Sequence, residues 1–228
     1  MIMSYGKIFS ILKKNDLSNW NFYTKHDFVT KLTNNTLDKK IFLNYLIQDY
    51  LFLIQFSKAW SLAIIKSDIL DEMKIAANTV NGLINFEMDL HINLCGSYGI
   101  SKIDLENANE ENENIAYTRF VLEAGYSGDL LDLMAALIPC VFGYGEIGVN
   151  NSNARPETYM YQKWLNTYSS HEYQQICHEV AKLFDNAIYL RLGENYINSY
   201  KWNNIKKIFR TAVLLEVDFW NMAMRLDK

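Results

Sequence analysis

Three reactive side chains stand where apolar helices would ordinarily carry none. Cys140 follows Pro139 inside the run Leu133-Met134-Ala135-Ala136-Leu137-Ile138-Pro139-Cys140-Val141-Phe142-Gly143-Tyr144. Asp49 interrupts Ile41 to Phe56, and Glu216 lies between Leu215 and Val217 with Phe219 and Trp220 one turn on. The chain has only two prolines, and a proline within a helix removes a backbone donor and clashes with the preceding turn, so Pro139 predicts a kink. A thiol just after a kink can reach a cavity, and Tyr144, four residues on, shares its face of the helix. A free cysteine is otherwise a small buried hydrophobe, so Cys140 acquires a chemical role only through its neighbours.

Asp49 and Glu216 supply such neighbours. An ionised acid in an apolar helix costs several kcal/mol to bury unless it is bonded or paired, on the order of the desolvation of a single charge. Asp49 therefore either finds a partner or reaches solvent. Tyr45, Phe52 and Leu53, at helical spacing, make a partly aromatic wall beside it. Two carboxyls, one thiol and several tyrosines are what a site for a nitrogen heterocycle would use. Carboxyls exchange protons with ring and amino nitrogens, aromatic rings sandwich the heterocycle, and the thiol attacks an electron-poor carbon.

Other groupings carry less. Glu87 and His91 are one turn apart and suit a metal, which would make the chain a metal-dependent helical oxygenase. A di-iron bundle needs paired Glu-x-x-His motifs, and none of His26, His91, His171 or His178 has a glutamate three residues before it. No metal is expected. Cys95 and Cys177 lack acidic or aromatic clusters and read as structural.

These residues must be positioned by helices. Apolar residues recur at three and four rather than two, and no strand, repeat or low-complexity tract interrupts them. Proline is absent before position 139, so the first half is expected to run as long helices. Asp38 is expected to cap the apolar helix containing Asp49, and Lys66-Ser67-Asp68 to end it, with a second cap opening a helix to about Leu94. Cys95-Gly96-Ser97-Tyr98-Gly99 breaks that helix, and Glu106 to Asn114 reads as a solvated connection. Helices are then expected over Ile115 to Ala124, Leu130 to Asn150 and Glu157 to Tyr168, another from Ser170, and a last from about Trp202. The class is all-α, with roughly eight to ten helices.

The chain of 228 residues, half of them hydrophobic, fits one domain spanning 1–228. A net charge of −4 with no basic stripe argues against a nucleic-acid partner. The three cysteines lack C-x-x-C pairing, which argues against disulfides and zinc and fits a reducing cytoplasm. No run reaches the roughly 18 consecutive apolar residues of a membrane span, and no signal peptide is evident.

Several blocks in order then resemble one family. They are Gln48-Asp49-Tyr50-Leu51-Phe52-Leu53-Ile54-Gln55-Phe56, Glu87-Met88-Asp89-Leu90-His91, Ala116-Tyr117-Thr118, Ala136-Leu137-Ile138-Pro139-Cys140, Tyr161 to Ser170, and Glu216-Val217-Asp218-Phe219-Trp220. Together they resemble the TenA/thiaminase II family, in its cysteine-containing branch, over most of the chain. His26-Asp27-Phe28 resembles the family's His-Pro-Phe entry with the proline lost, a change expected to affect only a helix start.

The resemblance implies an all-helical bundle like that of haem oxygenase, without haem or any other cofactor, assembled as a homotetramer. It implies hydrolysis of an aminomethyl aminopyrimidine derived from degraded thiamin, or of thiamin itself, to the hydroxymethyl aminopyrimidine. By position, Cys140 is implied as the nucleophile, Glu216 as the acid that protonates the ring, and Asp49 as the carboxylate that binds the amidine edge and helps orient the nucleophile. Tyr117 and Tyr168 match pocket tyrosines. Phe52 stands where a tyrosine is common, so ring stacking is expected there without a hydroxyl contact. Tyr144 is added from its helical spacing alone. An ordinary thiol, with a pKa of about 8.5, is only a few per cent ionised at neutral pH, so a base or a proton transfer coupled to binding is required, and Asp49 serves if the fold brings it near. The competing reading is a non-enzymatic pyrimidine-binding or regulatory protein on the same fold.

Overall fold

The computed structural model describes residues 5–225, and among them every regular element is helical. Three short helices come first: α1 (Lys7–Asn15), α2 (Leu17–Thr24) and α3 (Asp27–Thr33). The long α4 (Lys39–Lys66) and α5 (Leu70–Gly82) follow, then a π-helical turn (Leu83–Glu87), α6 (Met88–Gly96) and α7 (Lys102–Asn107). The second half holds α8 (Asn112–Ser127), α9 (Leu130–Asn150), α10 (Tyr159–Ser169), α11 (His171–Leu192), a 3₁₀ turn (Tyr196–Asn198) and α12 (Tyr200–Met224).

The all-α expectation holds, but the helices outnumber the roughly eight to ten that the apolar pattern suggests. Two features account for the difference. Residues 7–33 form short helices instead of long ones, joined by backbone breaks at Asp16 and Lys25 that no proline marks. Helix α7, opened by a capping box in which Ser101 and Asp104 satisfy each other's backbone N–H groups, runs into the first two residues of the Glu- and Asn-rich connection. Residues 108–111 are what remains of that connection.

Most caps fall where the sequence places them. The Asp38 carboxylate accepts from Lys40 N at 2.8 Å to open α4, and the Ser170 hydroxyl accepts from Tyr173 N at 3.2 Å to open α11. His26 opens α3 by accepting from Phe28 N, so the missing proline leaves that helix start intact. The cap expected at Ser67-Asp68 is not found, because α5 begins after Ile69 with no side-chain cap.

The buried apolar side chains from Tyr5 to Ala223 join in one connected core. Of the span 1–228, residues 1–4 and 226–228 lie outside those described. Helix α9 runs through the middle of this core, with α8, α10, α11 and α12 packed on it. It is long and apolar enough to cross a membrane, yet 89% of its most apolar window is buried inside the fold, as expected of a helix enclosed by protein. Pro139 sits within it, and helix continues on both sides.

Close approach to α9 depends on glycine. A Cβ at Gly143 would clash with the ring edge and hydroxyl of Tyr23 from α2, and one at Gly148 would meet the backbone of Tyr168 and Ser169 at the end of α10. The missing side chains let a tyrosine and a helix end lie directly on the helix that carries Cys140.

Candidate active site

Cys140, at 9% exposure, is the least enclosed of the three reactive groups; Asp49 is 3% and Glu216 2% exposed. A cavity of about 410 Å³ runs inward between α5, the π-helical turn and α11 and ends on Cys140, Val141 and Phe56. Glu87 also lines it, whereas Asp49, Glu216, Tyr117, Tyr144 and Tyr168 are not among its lining residues. The thiol and Glu87 thus face the cavity, and the other predicted groups lie in the surrounding wall.

Helix α12 brings Glu216 to the thiol. Its Oε1 accepts from the Tyr117 hydroxyl at 2.8 Å, and burial pushes the carboxyl up to about 8 despite that bond, with the nearby Asp49 charge adding to the rise. Interactions with the Tyr23 hydroxyl and the Cys140 thiol partly oppose it. At neutral pH this carboxyl holds its proton, as a general acid must. Cys140 is itself pushed well above an ordinary thiol by burial and then by the charges of Glu216, Glu87 and Asp49, in that order. The resting group is a thiol, and of the three carboxyls Glu216 contributes most to its rise.

Asp49 is held from two sides. Its Oδ2 accepts from the Tyr45 hydroxyl, one turn earlier on α4, at 2.8 Å and lies 2.7 Å from His91 Nε2 on α6. His91 Nδ1 lies 2.8 Å from the Glu87 backbone carbonyl. Both ring nitrogens face acceptors, so the pair satisfies both contacts only with one proton beyond a neutral imidazole and a bare carboxylate. Burial alone would lower the His91 pKa, but the charge and hydrogen bond of Asp49, with the Glu87 carbonyl and carboxyl, leave it raised. The pair is therefore an imidazolium held against a carboxylate. The partner that a buried Asp49 demanded is this histidine.

Glu87 and His91, one turn apart in the sequence, have separate roles in the structure. His91 has both nitrogens engaged, while Glu87 Oε1 accepts from the Tyr168 hydroxyl at 2.7 Å. Burial, with the Asp49 charge, pushes Glu87 up to about 7, against the lowering by Tyr168 and His91. Glu87 closes the π-helical turn, an element that widens a helix by one residue and re-aims the side chains around it.

The aromatic residues divide into two groups. Phe52 stacks in the wall near the thiol, its ring centroid 5.0 Å from Tyr117, 5.1 Å from Phe56 and 5.6 Å from Phe219. Tyr144 instead packs behind Asp49, among Trp164, Tyr168 and Trp220, with its hydroxyl 3.3 Å from that of Tyr45. Register between α4 and α8 is fixed beside Asp49 and one turn before Tyr117. Asn114 Nδ2 donates to the Gln48 carbonyl at 2.8 Å and to its side-chain oxygen at 3.0 Å, and the Gln48 side chain bonds Asn109 O and Glu111 N.

Sequence spacing missed Tyr23, whose buried hydroxyl has no hydrogen-bond partner of good geometry although it lies by Glu216. Its place depends on packing across Gly143, which no local pattern announces. Tyr45 and His91 had a signal in their helical registers to Asp49 and Glu87.

The helical bundle has the haem-oxygenase-like fold. A domain of that fold from Shewanella denitrificans superposes with a TM-score of 0.70, covering 98% of this chain and 93% of its own, at 9% identity. The chain belongs to the TENA/THI-4/PQQC family, which matches residues 14–226. A TenA family transcription regulator from Silicibacter sp. TM1040 is 48% identical in sequence, with a TM-score of 0.94 over 98% of this chain and 99% of that one. The aminopyrimidine aminohydrolase of Halalkalibacterium halodurans is 30% identical over 206 residues, 90% of this chain and 89% of its own length.

Proposed function

We propose that the protein is a thiamin-salvage hydrolase that converts an aminomethyl aminopyrimidine, or thiamin itself, to the hydroxymethyl aminopyrimidine through covalent attack by Cys140. The observation that carries this reading is a thiol at the end of a cavity beside a carboxyl that keeps its proton to a pH of about 8. The aminohydrolase relative supports the same chemistry.

Glu216 gives its proton to a ring nitrogen, which makes the adjacent ring carbon electrophilic. As a carboxylate it then takes the thiol proton, and the sulfur adds to that carbon. The net movement is one proton from Cys140 to the ring through Glu216, so the high resting pKa of the thiol is no obstacle. The ring electrons next expel the leaving group from the exocyclic methylene, water adds there, and loss of the sulfur restores aromaticity. Asp49, kept as a carboxylate by His91 and Tyr45, accepts from the ring's amino group. Phe52 and Tyr117 flank the ring.

The test is turnover of the aminomethyl aminopyrimidine and of thiamin, followed by chromatography. The hydroxymethyl product is expected, with Cys140→Ala about a thousandfold or more slower. No turnover of either compound, or full activity in Cys140→Ala, overturns the proposal. A regulator like the Silicibacter relative would bind the pyrimidine and keep its function in Cys140→Ser. This role also expects a cytoplasmic homotetramer. Exposed Ile65, Leu70 and Phe86 support self-association, and light scattering tests it.

A further inference from the structure

Among the described residues, Glu87 is the one carboxyl that belongs to the hydrogen-bonded site and also lines the cavity. Glu216 at the thiol and Asp49 beyond it lie off the cavity lining, so a ring held against them directs its exocyclic methylene, and whatever that methylene carries, toward the cavity. Glu87 stands on that side.

Its carboxyl is fixed from two directions. The Tyr168 hydroxyl occupies Oε1, and the backbone carbonyl is tied to His91. Among the described residues no donor occupies Oε2. The cavity beyond it holds Glu172, Glu179, Asn78 and Asn81, and no lysine, arginine or histidine lines it among the described residues. A positive group with N–H donors suits this surface. An anionic leaving group would meet unopposed negative charge.

We propose that Glu87 forms the leaving-group subsite and selects a primary ammonium over a thiazolium. This rests on the pyrimidine reading above. A methylene-bound ammonium offers several N–H donors, of which one fits Oε2 of Glu87, whereas a thiazolium ring carries charge without an N–H. Both leaving groups are cations, so charge alone discriminates weakly and the hydrogen bond sets the preference. A carboxyl close to half ionised at neutral pH shifts to the carboxylate when the ammonium arrives, consistent with its value of about 7.

The experiment compares kcat/KM for the aminomethyl aminopyrimidine and for thiamin in the wild-type protein and in Glu87→Gln. The variant should lose about tenfold to a hundredfold with the amine, the worth of a hydrogen bond to a charged group, and change less than about threefold with thiamin. Glu87→Asp, which keeps the charge, should restore part of the preference. Equal losses on both substrates, or no loss on the amine, overturn the assignment. Calorimetry on Cys140→Ala provides a readout that does not require the Glu87 variants to fold. It should bind the aminomethyl compound at least about tenfold more tightly than the hydroxymethyl product, and equal affinities overturn the subsite. If wild-type protein turns over neither substrate and Cys140→Ala binds neither compound, the pyrimidine reading itself has failed.

Discussion

His91 Nε2 lies 2.7 Å from Asp49 Oδ2, and the imidazole making this contact is wholly buried between α4 and α6. Such a pair gains little net stability, because desolvating two charges offsets their attraction, but removing one partner strands the other. The contact sets a charge in place: Asp49 stays an acceptor, and its position is fixed by Tyr45 on its own helix and His91 on another.

His91→Asn removes the cation and leaves the carboxylate unpaired. We expect a loss of about 3 kcal/mol in folding stability, the cost of an uncompensated buried charge. Surviving folded enzyme should show a lower kcat/KM, because Asp49 loses the contact from α6 that fixes its position. Urea denaturation and steady-state rates check the two parts, and an unchanged kcat/KM would assign His91 to packing alone.

The carboxyls of Glu216 and Glu87 make stability depend on pH in a direction opposite to that of most surface acids. Both lie above the ordinary glutamate value of 4.5, at about 8 and about 7, so the folded protein holds protons that the unfolded chain releases. Their contribution is complete below pH 4.5 and is lost as pH rises through 7 and 8. Melting temperature should therefore fall between about pH 5 and 9, and Glu216→Gln should fall less steeply. The same variant lacks the ring acid, and its kcat/KM should drop about a hundredfold or more.

The parts legible in the sequence were those written in one helix at a time. Asp49, Cys140 and Glu216 each stood out as reactive groups in apolar runs, and the caps at Asp38 and Ser170 are local signals. What pairs with what across helices was not legible. Glu87 and His91 were visible as an i,i+4 pair, yet the bonds from Tyr168 and to Asp49 depend on the tertiary arrangement of α10 and α4. Tyr144 shares a helical face with Cys140 in spacing, but α10 and α12 cover it, so its hydroxyl meets Tyr45 rather than the cavity.

The elevated thiol has its own signature. Burial and three nearby carboxyls disfavour the Cys140 thiolate, so iodoacetamide should label it at least about tenfold more slowly than a free thiol at pH 8. A bound pyrimidine should protect it further. Cys95 and Cys177, both buried and both raised, should remain unlabelled. Peptide mass spectrometry over time reads all three, and rapid labelling of Cys140 would show that the resting group is already the thiolate.

Gly143 provides a test of sign as well as size. Replacing a helical glycine by alanine normally stabilises by about 1 kcal/mol, because glycine loses more conformational freedom on folding. At Gly143 the added methyl would overlap the ring of Tyr23, which is fully buried and also packs against Trp20 and Trp220. A ring so enclosed cannot retreat, and overpacking of this kind costs about 1 to 3 kcal/mol, enough to reverse the helix gain. At Gly96, at the end of α6, no atom lies within 4 Å of the place an added methyl would take, so Gly96→Ala should show the ordinary stabilisation. Gly143→Ala should also lower kcat/KM, since Tyr23 lies against Glu216 and the thiol, whereas Gly96→Ala should leave it unchanged. Paired urea melts and steady-state rates decide the matter, and a stabilised, fully active Gly143→Ala would show that Tyr23 has room to move.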